Sequence, residues 1–167
     1  LSAGQVSTAS DWFFIQGFLD PTLKHVEKGK RADLYYFADL VTDLDPANLD
    51  AYVASATYLT IIRNDNEGAR DLLLKGRKFD RHKLREYSTE FRDRFWAKRW
   101  AIYMTLAYVY LFELNDMPSA SRAFQESAEQ SDAPDYIKTL SERLKREGGE
   151  YEVGIKLVSF MLLEAKG

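Results

Sequence analysis

Chemistry at a protein site needs nucleophiles, acid–base pairs or metal ligands brought together, and this sequence offers few. Its two histidines, His25 and His82, stand alone among lysine, glutamate and arginine, with no second ligand at metal spacing. Asp43, Asp45 and Asp50 cluster, but they bracket Pro46 and do not follow the calcium-loop pattern. Asn64-Asp65-Asn66-Glu67-Gly68 also lacks that spacing and its closing glutamate. There is no cysteine, which removes disulfides, thiolate zinc sites, iron–sulfur clusters and cysteine nucleophiles. No phosphate-binding glycine loop, GxSxG or HExxH pattern is present. The expectation is a non-enzyme with no catalytic residues, no metal and no cofactor.

What stands out instead is charge. Residues 75–99 hold ten basic side chains against four acidic ones (+6), while the remainder holds 13 against 22 (−9). Arg81, Lys83, Arg85, Arg92, Arg94, Lys98 and Arg99 form the candidate patch. It reads either as a solvated charged face or as an electropositive docking surface for an acidic protein segment or for lipid headgroups. Nucleic acid is not expected: no RRM, zinc-finger or helix-turn-helix pattern occurs, and the pI is about 5.5.

The elements that must position these residues are helical. At 167 residues the chain suffices for one domain with a sizeable core, and only 9 Gly and 4 Pro punctuate it. The longest apolar stretch, Trp100 to Phe112, is too short to span a bilayer as a helix. Counting exposes a repeat. Tyr103, Leu106, Ala107, Tyr110, Ala120 and Phe124 map, 34 residues on, to Ile137, Leu140, Ser141, Leu144, Gly154 and Val158. Shifted back by 51, the same set falls on Tyr52, Ser55, Ala56, Leu59, Ala69 and Leu73. Spacings of 3, 1 and 3 put the first four of each set on one helical face, and the small residues mark where two helices cross closely. Asn64-Asp65-Asn66, Asn115-Asp116-Met117-Pro118 and Gly148-Gly149 supply turns, and Leu44-Asp45-Pro46 ends one helix before the next hairpin.

This pattern resembles the tetratricopeptide repeat (TPR) family, most closely at Tyr52, Ala56, Leu59 and Ala69 and at Tyr103, Leu106, Ala107, Tyr110, Ala120 and Phe124. The third copy is weaker, Pro134 falls late, and the first two copies carry an extra residue at the turn. A HEAT-like array of helical hairpins is the alternative. Upstream, Ser10 to Phe18 and Arg31 to Leu44 look like a degenerate, aromatic-rich hairpin. The run from Ala32 to Pro46 is similar to a group of bacterial TPR proteins. The resemblance implies an all-α, right-handed superhelix of antiparallel hairpins in a single TPR-like domain over 1–167. Its parts would be a degenerate hairpin at 10–46, repeats at 49–76, 100–133 and 134–165, and a basic insertion at 77–99. It also implies a bacterial cytoplasmic or periplasmic protein, with an N-terminal membrane anchor common in that group. The chain begins with Leu1 and reads as a processed or truncated product.

The insertion accounts for an interval of 51 where 34 is expected. Phe91, Phe95, Trp96 and Trp100 keep helical spacing through it, so one long helix, or two in line, is expected over Lys83 to Leu114. In TPR arrays the first helices of the hairpins line a concave face, which bears on partner binding. That register gives Val53, Thr57 and Ile61 from one repeat and Met104, Tyr108, Leu111 and Phe112 from the next, flanked by Asp50, Asp135, Lys138, Glu142 and Lys145. Such a groove suits a docked peptide or helix, although Tyr108 and Phe112 also fit inward packing. The last helix, Ile155 to Leu163, is apolar almost all round, which points to a missing cap, self-association or packing on the N-terminal hairpin. The expected function is therefore a protein-binding adaptor, which the resemblance would place in a bacterial envelope or motility complex. A homodimer closed by the last helix and a lipid or small-molecule carrier are the alternatives.

Overall fold

The computed structural model describes residues 25–27 and 29–147. The expected helix at Ser10–Phe18, the Gly148-Gly149 turn, Gly154, Val158 and the apolar run from Ile155 to Leu163 lie outside the described residues, as do the side chains of Leu140, Leu144 and Lys145. Within the described residues every regular element is helical and there is no strand. The helices are α1 (Asp33–Leu44), α2 (Leu49–Tyr58), α3 (Asn66–His82), α4 (Thr89–Phe95), α5 (Trp100–Tyr108), α6 (Met117–Ala128) and α7 (Asp135–Glu147).

Side-chain caps set most of the helix starts. Asn48 accepts the Ala51 amide at the head of α2, Asp65 the Gly68 amide at the head of α3, and Asp116 the Ser119 amide at the head of α6. Each satisfies an amide that the first helical turn leaves without a partner. Pro118 sits in the first turn of α6, where its missing N–H costs nothing. α1 stops at Asp45, immediately before Pro46. Asp65 does more than cap. It also accepts the Ala32 amide at 2.8 Å and pairs with Arg31 at 3.2 Å, so the heads of α1 and α3 share one carboxylate.

Successive helices pack as hairpins, α2 on α3 and α5 on α6, with α3 also lying against α5. Tyr52, Ser55, Ala56, Leu59, Ala69 and Leu73 are all buried, as are Tyr103, Leu106, Ala107, Ala120 and Phe124. Ile137 and Ser141 of α7 are buried too. Tyr110 departs from this pattern and is only half-buried. The helices approach closely at Gly76, where an added Cβ would meet Ile102 Cδ1 at 2.9 Å and the Tyr52 ring at 3.0 Å.

The extra residue at the turn of both copies is taken up inside the helix. α2 ends in a π turn over Leu59–Arg63 and α5 in another over Val109–Glu113. A π turn closes i→i+5 and so holds one residue more than an α turn. Left-handed asparagines come next, Asn64 directly after the first at φ 57° and Asn115 one residue beyond Leu114 after the second at φ 53°, a conformation asparagine tolerates better than most residues.

A single long helix over Lys83 to Leu114 does not form, and two separate helices, α4 and α5, occupy the segment instead. α3 runs past Gly76 to His82, a 3-10 turn covers Leu84–Glu86, and α4 occupies only Thr89–Phe95 before the chain breaks again ahead of Trp100. The Ser88 hydroxyl accepts the Phe91 amide and starts α4 afresh. Lys98 adopts a left-handed φ of 64°, which no α-helix accommodates.

Candidate functional site

The basic insertion is fastened to the hairpins by one buried carboxylate. Asp80 lies on the stripe Leu73, Gly76, Asp80 of α3, at spacings of 3 and 4, and therefore points inward with the apolar residues. The Trp96 indole N–H donates to Asp80 Oδ1 at 2.8 Å and the Tyr103 hydroxyl donates to Oδ2 at 2.6 Å. Arg99 Nε lies 3.3 Å from Oδ1. Both carboxylate oxygens are thus engaged, as a buried charge requires. Burial raises the Tyr103 phenol above its ordinary range, and the hydrogen bond to Asp80 adds to the rise.

Around this clamp the aromatic side chains form a continuous series. Trp96 is buried edge-on between Tyr52, at 5.9 Å between ring centres, and Phe79, at 5.0 Å. Phe79 meets Tyr87 at 5.8 Å, Tyr87 stacks on Phe91 at 4.6 Å, and Phe91 contacts Phe95 at 4.8 Å. The series begins with Trp96 at 1% exposure and ends with Phe95 at 50%.

Two hollows flank the insertion. The larger, about 770 Å³, lies between the Leu44–Asp50 turn and α4; Tyr87, Phe91, Phe95, Arg94 and Lys98 form its second wall. Asp45 and Asp50 stand on the opposite wall. The Arg94 guanidinium sits over the Phe95 ring at 5.2 Å. The smaller hollow, about 280 Å³, is lined by Asp80, Arg81, Leu84, Arg85, Arg92, Arg99, Tyr103 and Gln130.

The candidate basic patch is therefore not one surface. Arg94 and Lys98 face the first hollow, whereas Arg81, Arg85, Arg92 and Arg99 line the second. Lys83 lines neither and lies 3.6 Å from Glu86. The groove residues divide as well. Val53, Met104 and Tyr108 are half-buried against the core, while Thr57, Ile61 and Phe112 are exposed. Leu111 is not a groove residue: it is 8% exposed and packs inward. Its position lies in the π turn, which rotates less per residue than an α turn and carries Leu111 towards the core. Thr60, its counterpart 51 residues earlier, is buried for the same reason and bonds back to the Ala56 and Thr57 carbonyls. Ile61 and Phe112 remain a matched exposed pair. Tyr108 packs on Phe112 at 5.1 Å, and its hydroxyl donates to Glu113 at 3.3 Å.

The sequence reading missed Asp80, Tyr87, Phe91, Phe95 and Leu44 as site residues. Asp80 carried a legible signal, since it continues an apolar helical stripe within a basic run; Phe91 and Phe95 were legible only as members of one helical face, and Tyr87 and Leu44 carried no signal. His25 and His82 are exposed, and no group of three or more metal-ligating side chains gathers among the described residues. Nor is any described helix long and apolar enough to cross a membrane.

No protein-family model, curated protein or solved structure matches this chain. The class that the described residues define is an all-α packing of helical hairpins.

Proposed function

We propose that this chain is a TPR-type, non-catalytic binding module that holds a segment of a partner protein in the cleft between the Leu44–Asp50 turn and α4. The observation that carries this reading is the partly exposed ladder Tyr87, Phe91 and Phe95, anchored at its inner end by buried Trp96. Exposed aromatic rings on a rigid wall bury area on docking with little loss of side-chain freedom. The TPR reading is supported by two hairpins that bury matching positions 51 residues apart.

The cleft suits a peptide or short helix with apolar side chains at its centre. Arg94 and Lys98 on one wall would meet its acidic positions, and Asp45 and Asp50 on the other its basic ones. A peptide-display selection on the whole chain tests this. Enriched peptides are expected to lose binding to Phe95→Ala and Tyr87→Ala, with circular dichroism unchanged. Equal binding to both variants, or no enrichment, would refute the cleft as the working surface.

A further inference from the structure

The smaller hollow has a charge arrangement that the cleft does not explain. Four guanidinium groups, those of Arg81, Arg85, Arg92 and Arg99, line about 280 Å³ against one carboxylate. That carboxylate, Asp80, is already engaged by Trp96, Tyr103 and Arg99. Arg81 shares Glu126 with Arg77, at 2.9 and 2.5 Å. Arg85 has no carboxylate partner among the described residues, and Arg92 bonds only the neutral Thr89 hydroxyl, at 3.1 Å. The Nε atoms of Arg92 and Arg99, both in the lining of this hollow, are buried with no hydrogen-bond acceptor. Buried donors are almost always satisfied, so an acceptor placed between them fits the hollow. Like charges crowded in a concave, partly desolvated site also raise the local potential and concentrate anions there.

We propose that this hollow is a site for a single phosphate-type dianion. A lone carboxylate brings one charge and two oxygens, which one arginine fork satisfies. Arg85 and Arg92 together leave two charges unbalanced, and a tetrahedral oxyanion presents oxygens to several forks at once. Arg81 and Arg99 are held by their carboxylates as fixed walls, while Arg85 and Arg92 supply the groups free to bind. The site stands apart from the peptide cleft and does not depend on it.

Calorimetric titration of inorganic phosphate into the whole chain, at constant ionic strength set with chloride, tests the proposal. Saturable one-site binding is expected. Arg85→Gln and Arg92→Gln should each weaken it by about tenfold or more, as loss of a charge-assisted hydrogen bond does. Arg94→Gln with Lys98→Gln, in the other hollow, should leave it unchanged. Arg85 is exposed and Arg92 makes one side-chain bond, so both variants are expected to fold, and circular dichroism verifies this. Non-saturating heats, or equal weakening by the Arg94 and Lys98 pair, would overturn the site in favour of diffuse charge. Vesicles of phosphatidylcholine with and without phosphatidic acid identify the source. Sedimentation that needs Arg85 and Arg92 assigns a lipid headgroup; phosphate binding without sedimentation assigns a soluble phosphate.

Discussion

Replacing Asp80 by alanine removes the acceptor of two buried donors and the partner of Arg99 in one step. A buried donor left without an acceptor costs about 1–3 kcal/mol, and two are stranded here. Breaking a buried charged contact from one side costs about 3–5 kcal/mol in total, and the two figures agree. For a chain of this size each kcal/mol lowers Tm by about 2–4 °C, so a fall of about 6–20 °C is expected. Urea unfolding followed by far-ultraviolet circular dichroism gives the free energy directly. Hydrogen exchange locates the effect: amides of residues 84–99 should lose protection before those of α5 and α6, because Trp96 fastens the insertion. Asp80→Asn keeps one acceptor but turns an amide N–H towards a donor, so it should fall between wild type and alanine. A loss below about 1 kcal/mol, with exchange at 84–99 unchanged, would show that Asp80 does not hold the insertion.

The caps should rank by how much each carboxylate does. Asp116→Ala removes one cap and should cost about 1 kcal/mol; Asp65→Ala also frees the Ala32 amide and Arg31, and should cost about 3 kcal/mol. Equal losses on urea unfolding would mean that the Asp65 contacts to α1 contribute nothing. Gly76→Ala should destabilise by about 1 kcal/mol despite the better helix propensity of alanine, because the Tyr52 ring and Ile102 leave no room for the methyl group; a raised Tm would refute that packing. Burial raises the Tyr52 and Tyr103 phenols above their ordinary 10.0. The unfolded chain therefore ionises first, so their stabilisation is complete below pH 10 and is lost as pH rises beyond it. Phenolate absorbance at 295 nm should appear in full only with unfolding, and complete titration of a still-folded chain would contradict the burial.

Much of the fold was legible because local pattern carries it. Every small or apolar residue that helical spacing picked out in the first two copies is buried except the half-buried Tyr110, although Leu72, Phe79, Ile102 and Ala123 are buried without having been picked out. The Asn64 and Asn115 turns were marked by residue type. The site was less legible. Phe91, Phe95, Trp96 and Trp100 keep helical spacing, so nothing in periodicity reveals the break before Trp100; a new cap at Ser88 and the left-handed Lys98 make it. The bond from Trp96 to Asp80 joins residues distant in sequence, and no local rule pairs them. The cleft arises where the Leu44–Asp50 turn meets α4, and its shape depends on how those elements pack. Leu111 fails for a subtler reason, since a register carried at α spacing slips inside a π turn.

Those π turns also bear on how this chain tolerates shortening. Removing one residue from most of a helix rotates everything beyond it by about 100°, turning buried side chains outward. Removing one from Leu59–Arg63 or Val109–Glu113 instead converts a π turn to an α turn and leaves the flanking segments in phase. A scan of single-residue deletions should therefore find two permissive windows in corresponding places, one at the end of each leading helix. The hairpins would be lengthened copies of a shorter unit that the same packing can still accept.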